Sequence, residues 1–240
     1  MTRLALTLVL CCLAPLSWAQ PSLRTQAVLL TANALVYYNP DPQAQPDERH
    51  LARMQQAGTS MREQLAVQPW PEPLRQAVDE LLARQAQLAS VPRQQAPRYP
   101  QLLVGLLDAR LKLEAQLRQQ VPAAEQSQQV QQRLSQAIGE LLINAMARHA
   151  RVLGAHSLNL DQDGFNALDR QIETDFTVLV DLLPAQAEVL HKQHRVYRFA
   201  RQRLLEAASG QADGSLERYI GGVLLSLDNL LDDPLSNPLS

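Results

Sequence analysis

The chain has 240 residues, of which 22 are lysine or arginine and 24 are aspartate or glutamate, so its formal net charge is −2. A balance this close to neutral argues against nucleic acid as the main partner, because nucleic-acid-binding domains carry an excess of basic residues. Aromatic residues make up 4% of the chain, and the abundance of leucine, alanine, glutamine and arginine favours helices over strands.

The first 19 residues have the three parts of a secretory signal peptide. Arg3 gives a short basic start, and residues 4–13 form an apolar core that is too short to span a bilayer. Ser17 and Ala19 then place small side chains ahead of a cleavage site after Ala19. We therefore expect a periplasmic or secreted protein, with no transmembrane anchor in the mature chain.

Both cysteines of the sequence, Cys11 and Cys12, lie in this leader. A lipoprotein signal is the alternative, but it requires a small residue before the cysteine, and Leu10 is not small. The mature chain is then free of cysteine, so packing without disulfides has to stabilise it in an oxidising compartment.

Helical segments separated by prolines and turn residues follow the leader. Ser22 is placed to cap the first, which extends to about Tyr38, and Pro46 with Asp47 suits the first turn of the second. The third follows the proline-rich residues 69–73, and residues 90–100 form the clearest linker. The predicted inward positions of these three helices are Leu23, Ala27, Leu30, Ala34, Tyr37, Leu51, Met54, Met61, Leu65, Leu74, Val78, Leu81, Leu82 and Leu88.

The fourth helix is predicted over residues 102–117 and the fifth over residues 123–156, where it would span roughly 50 Å. Residues 165–183, 185–208 and 216–231 predict three more helices, with Pro184 either kinking the chain or separating two of them. The predicted inward positions here are Leu134, Ile138, Leu141, Ala145, Val152, Leu153, Phe165, Leu168, Ile172, Phe176 and Leu179.

Seven or eight amphipathic helices with short connections predict an all-α protein, an extended helical bundle. We expect one domain over residues 20–231, with a weak subdivision at residues 90–100. Residues 232–240 are expected to form a flexible tail.

The segment NLDQDGFNALDR, residues 159–170, is similar to the start of an EF-hand calcium loop. Asn159, Asp161 and Asp163 stand at its first, third and fifth positions, and Gly164 stands at the sixth. The twelfth position, where calcium needs a bidentate glutamate, is Arg170. We therefore interpret the segment as a turn in which one of the two aspartates caps the next helix.

A second candidate metal site is the run Glu188, His191 and His194, which are spaced three residues apart on a helix. Di-iron and di-manganese bundles use such Glu-x-x-His pairs, but they need two of them, and this sequence has one. Zinc is the alternative if His149 or His156 completes a tetrahedral set. A histidine that flanks an apolar stripe is more often a hydrogen-bonded packing residue, which is the interpretation we favour.

The seventh helix carries a basic run with two interleaved aromatic residues, Tyr197 and Phe199. One interpretation is an anion site that uses Arg195 or Arg198. The other, which we favour, is that the acidic helix before Pro184 turns back and pairs with this basic helix. The basic residues are Lys192, Arg195, Arg198, Arg201 and Arg203, and the acidic ones are Asp161, Asp163, Asp169, Glu173, Asp175 and Asp181.

Catalytic motifs such as a nucleophile elbow or a phosphate-binding glycine loop do not occur in the sequence. We therefore expect a non-enzymatic protein without a cofactor, which binds another envelope or secreted protein through exposed leucine, methionine and tyrosine side chains. The alternatives are a periplasmic module that binds a small ligand or anion with Arg195, Arg198 or His194, and a metal-dependent enzyme built on Glu188, His191 and His194.

Overall fold

The computed structural model describes residues 22–39, 46–67, 69–119, 125–149, 160–205 and 214–230. These residues form eight α-helices and two short 3₁₀ helices, with no strand among them, which confirms the predicted all-α bundle. The predicted signal peptide and the predicted C-terminal tail lie outside the described residues. The helices are α1 (Leu23–Tyr37), α2 (Glu48–Val67), α3 (Glu72–Ala89), α4 (Tyr99–Gln119), α5 (Gln126–His149), α6 (Gln162–Leu182), α7 (Ala187–Leu205) and α8 (Gly214–Asp228).

The helices pack as four consecutive pairs, α1 with α2, α3 with α4, α5 with α6 and α7 with α8. Helix α1 lies at the centre, because it also packs against α4, α5 and α8. Its sequence explains this position, since a helix that is apolar on every side is stable where neighbours cover every side. The predicted positions Leu23, Ala27, Leu30 and Ala34 are buried, but so are Val28, Ala32 and Leu35 on the other faces of the helix.

Several helix boundaries differ from the predictions for local reasons. The predicted linker contains a 3₁₀ helix, Arg93–Arg98, and α4 begins at Tyr99, before the predicted Leu102. Pro100 then occupies the first turn, where its missing N–H costs nothing. Of the predicted fifth helix, residues 126–149 are described as helical, and the predicted inward positions Val152 and Leu153 lie outside the described residues.

Pro184 separates two helices instead of kinking one. Helix α6 ends at Leu182, a 3₁₀ turn covers Pro184–Gln186, and α7 begins at Ala187. The two helices pack against each other and run antiparallel. Within the described residues, no helix is both long enough and apolar enough to cross a membrane.

Candidate functional site

The acidic helix α6 and the basic helix α7 are joined by two side-chain clusters. In the first cluster, the Glu173 carboxylate accepts hydrogen bonds from Arg198 at 2.5 and 3.1 Å, and it lies 3.0 Å from Nε2 of His194. In the second, the buried Asp169 carboxylate accepts from Arg201 at 2.5 and 2.7 Å and from the Tyr197 hydroxyl at 2.7 Å. The predicted pairing of these two helices through their charges is confirmed.

The protonation of these groups follows from their partners. Hydrogen bonds from Arg198 hold the pKa of Glu173 below its usual value, although burial opposes that shift. Burial raises the pKa of Asp169, but the hydrogen bonds from Arg201 and Tyr197 outweigh it and lower the pKa overall. Burial lowers the pKa of His194 more than Glu173 raises it. Two ionised carboxylates therefore lie against two guanidinium groups.

The candidate metal ligands on α7 do not point to one place. His194 is hydrogen-bonded to Glu173, and its ring stacks on Phe176 with ring centroids 4.6 Å apart. Glu188 and His191 are exposed. In the part of the chain that the structure describes, no three His, Cys, Asp or Glu residues converge as a metal site. The side chain of His149, and His156 as a whole, lie outside that part.

The calcium-like segment contains a helix cap. Asp161 has extended backbone, and its Oδ1 accepts a hydrogen bond from the backbone N–H of Gly164 at 2.8 Å. Helix α6 therefore starts at Gln162, three residues before the predicted Phe165. Asp163 is exposed in the first turn, where a negative charge faces the positive end of the helix dipole. Asn159 lies outside the described residues. The predicted cap is confirmed, and it belongs to Asp161.

Replacing Asp161 by alanine is expected to lower the free energy of unfolding by about 1 kcal/mol, because a free amide at the start of α6 loses its acceptor. Asp163→Ala is the matched control, and we expect it to lose about 0.5 kcal/mol from the dipole interaction alone. Urea denaturation measures both losses. Millimolar calcium should leave the melting temperature of the wild type unchanged, and a rise that Asp161→Ala abolishes would contradict the cap.

A buried polar cluster that the sequence did not predict lies between α1, α2 and α8. Asn33, on the central helix and fully buried, donates from Nδ2 to Oε1 of Glu217 at 3.0 Å. Arg53 donates to Oε2 of the same carboxylate at 2.8 Å. Nδ1 of His50 lies 2.7 Å from Oδ1 of Asn33 and 3.7 Å from Oε2 of Glu217. Side chains from three helices therefore form one hydrogen-bond network.

The chemistry of Glu217 determines the proton positions in this cluster. An ionised carboxylate accepts hydrogen bonds and donates none, so the Asn33 amide presents its NH₂ group to Glu217 and its oxygen to His50. Nδ1 of His50 therefore carries the proton. Burial lowers the pKa of His50, and this outweighs the opposing effect of Glu217. His50 is then neutral at pH 7, and the negative charge of Glu217 is balanced by Arg53.

A groove of 460 Å³ opens beside this cluster, lined by residues of α1, α2 and α8. Asn33, Arg53 and Glu217 stand at one end of it. Leu29, Ala57 and Leu225 supply apolar lining. Pockets of 300–1,000 Å³ that combine apolar walls with a few polar groups are typical of small-molecule sites.

Sequence reasoning missed this cluster because its members are far apart in the chain. Asn33 and Glu217 are separated by 184 residues, and Asn33 and His50 by 17. The one local signal is Asn33 itself, a polar residue in the middle of the most apolar helix. A buried asparagine needs partners, but the sequence does not say which residues provide them.

The outer surface of α7 combines an exposed aromatic ring with basic side chains. Phe199 is 71% exposed, and its ring meets the edge of Tyr219 at a centroid distance of 5.3 Å. Lys192 and Arg195 are exposed along the same stripe of the helix. Val67, Val189 and Phe199 are the exposed large apolar residues among those described, so the expected exposure of leucine, methionine and tyrosine was wrong there.

The chain matches no family model, and it has no significant match among curated proteins or solved structures.

Proposed function

We propose that this is an exported, non-enzymatic helical protein that binds an acidic segment of another envelope or secreted protein at the outer face of α7. The observation that carries the proposal is the exposure of Phe199 between basic side chains. A large aromatic ring in water is stabilised when a partner covers it, and aromatic residues with arginine are enriched at the centres of protein interfaces.

The charge of this face identifies the partner's chemistry. Among the described residues, Lys192 and Arg195 have no ion-pair partner on the protein itself. Arg198 and Arg201 are paired to α6, yet their side chains remain 61% and 46% exposed. Complementary potentials steer association and fix orientation. An acidic segment with an apolar residue opposite Phe199 is complementary to both the positive charge and the exposed ring of this surface. A basic partner lacks the negative charge, and a nucleic acid lacks the apolar side chain.

The test is capture of a partner from envelope extract by the immobilised protein, compared between variants. Lys192→Glu with Arg195→Glu reverses the charge of the face, and Phe199→Ser removes the ring, while the buried side of α7 is unchanged. We expect either variant to reduce capture by about tenfold, and raised salt to weaken capture by the wild type.

The matched control is Arg62→Glu with Arg75→Glu, which reverses two exposed basic residues on α2 and α3. This double variant has the same net charge as the α7 variant, so it should retain capture if the site is the outer face of α7. Equal losses in both double variants would mean that overall charge, and not this face, attracts the partner. Unchanged capture by Phe199→Ser would exclude the ring as an anchor.

Export is the other half of the proposal, and it rests on the three-part leader of residues 1–19. Mass spectrometry of the periplasmic and secreted fractions should find a mature chain that begins at Gln20. An intact chain beginning at Met1 in the cytosol would disprove export without affecting the interaction at α7.

A further inference from the structure

The groove between α1, α2 and α8 contains polar groups whose hydrogen-bonding capacity the protein does not use. Gln26 is 5% exposed and lines the groove, yet its side chain makes no hydrogen bond with any described residue. The Gln26 amide is not among the fully buried polar atoms that lack a partner, so it faces the solvent in the groove. A polar group of a ligand that enters the groove can therefore hydrogen-bond to Gln26 in place of water.

The charge at the polar end of the groove favours an anion. Two arginines, Arg53 and Arg218, and one acid, Glu217, line it. Arg53 uses one N–H to reach Glu217, and its side chain is 41% exposed. A guanidinium has five N–H donors in a planar fork that matches a carboxylate. The Arg53 group therefore has donors left for a second carboxylate, and Arg218 supplies the positive charge that Glu217 does not neutralise.

The remainder of the groove favours an apolar body of modest size. Leu29, Ala57 and Leu225 line it, together with the two glycines of α8. A methyl group added at Gly221 would lie 2.7 Å from Leu29, so this glycine allows α8 to approach α1. Gly222 has a different role, because a Cβ there would meet nothing within 4 Å. The space over Gly222 is part of the groove and is not needed for helix packing.

We propose that this groove binds a small monocarboxylate with an apolar tail, the carboxylate lying between Arg53 and Arg218 and the tail lying over Gly222. The groove is lined by α1, α2 and α8 and by no residue of α7, and these three helices pack together without the ligand. It therefore goes beyond the interaction proposed above and does not depend on it.

The probe is octanoate, measured by isothermal titration calorimetry on the full mature chain, with 1-octanol and octylamine as neutral and cationic counterparts of equal tail length. We expect octanoate to bind with a Kd of about 1 mM or tighter, and octylamine not to bind measurably. The proposal would be overturned if octylamine bound as tightly as octanoate. It would also be overturned if octanoate showed no binding at concentrations of 1 mM and above.

Gly222→Leu introduces a side chain whose Cβ meets nothing within 4 Å and whose remaining atoms occupy the groove, and we expect it to weaken octanoate binding by about tenfold or more. The matched control is Gly105→Leu on α4, which lines a different groove with Arg84 and Arg98 and has no neighbour closer than 3.8 Å. It should bind octanoate as the wild type does. Equal weakening in both glycine variants would place the ligand elsewhere.

Arg218→Gln distinguishes the head group from the tail. This exposed residue makes no ion pair among the described residues, and its Cζ lies 5.3 Å from the centroid of the neighbouring Tyr219 ring, so we expect its replacement to leave the fold intact. We expect it to weaken octanoate binding by about fivefold and to leave the weaker binding of 1-octanol unchanged. A proportional loss for both probes would show that the carboxylate is not recognised, and the proposed ligand class would be wrong.

Discussion

Asp169→Ala should lower the free energy of unfolding by about 3 kcal/mol, measured by urea denaturation followed by circular dichroism. The Asp169 side chain is 5% exposed and accepts hydrogen bonds from the fully buried Tyr197 and from Arg201. Without the carboxylate, the Tyr197 hydroxyl is left inside the protein without an acceptor. Arg201 loses its partner as well, but nearly half of its side chain already faces water, so that loss adds little.

Two further variants separate these contributions. Tyr197→Phe removes the hydroxyl and should cost about 1 kcal/mol, since Asp169 keeps Arg201. The double variant Asp169→Ala with Tyr197→Phe should cost less than the sum of the single losses, because the orphaned hydroxyl is gone. Asp181→Ala, an exposed acid on the same helix, is the matched control and should change stability by less than about 0.5 kcal/mol. A loss of that size for Asp169→Ala would show that the hydroxyl finds another acceptor.

The pairing of α6 with α7 was predictable because its signal is local. Acidic residues before Pro184 and basic residues after it lie on adjacent segments, and a proline makes the reversal between them easy. The sequence could not predict which residues pair. Glu173 takes Arg198 and His194, while Asp169 takes Arg201 and Tyr197, and this depends on the register at which the two helices pack.

The central position of α1 could be predicted from the sequence only in part. The sequence shows a helix rich in apolar residues, and one apolar stripe was enough to predict that it is buried on one side. How many sides are covered depends on the helices that reach it, and three of these, α4, α5 and α8, follow at least 60 residues later in the chain. Burial of Asn33 and of its partners is a consequence of that arrangement, so it could not be predicted from spacing.

The burial of the charged residue Arg110 could not be predicted from the sequence either. An arginine on an amphipathic helix is ordinarily at the surface, yet this one is 5% exposed, and its Nε has no hydrogen-bond partner among the described residues. Burial lowers the pKa of this guanidinium, with Glu140 and Glu114 opposing the shift. Glu114 lies four residues away on the same helix, so its proximity to Arg110 can be read from the sequence. Glu140 comes from α5 and approaches Arg110 through folding, which the sequence does not show.

Glu217→Ala is expected to have the second large effect and should lower the free energy of unfolding by about 3–4 kcal/mol, because, like Asp169, Glu217 is a buried hydrogen-bonded carboxylate. The carboxylate is 5% exposed and joins α8 to Asn33 on α1 and to Arg53 on α2. Its removal orphans one N–H of the fully buried Asn33 and leaves a cavity where the side chain packed. Arg53 turns to solvent, so most of the loss comes from Asn33 and the cavity.

Glu217→Gln tests whether charge or shape dominates this loss. The amide fills the same space, and its oxygen accepts from either Asn33 or Arg53, but its NH₂ group then faces the other donor. We therefore expect an intermediate loss of about 2 kcal/mol. Glu63→Ala, at an exposed position on α2, is the matched control and should be near neutral. If Glu217→Gln were as stable as the wild type, the negative charge would be unnecessary, and the cluster would be held by packing. If instead Glu217→Ala combined with Asn33→Ala cost the full sum of the two single losses, the bond between α1 and α8 would contribute nothing, because coupled residues lose less together than apart.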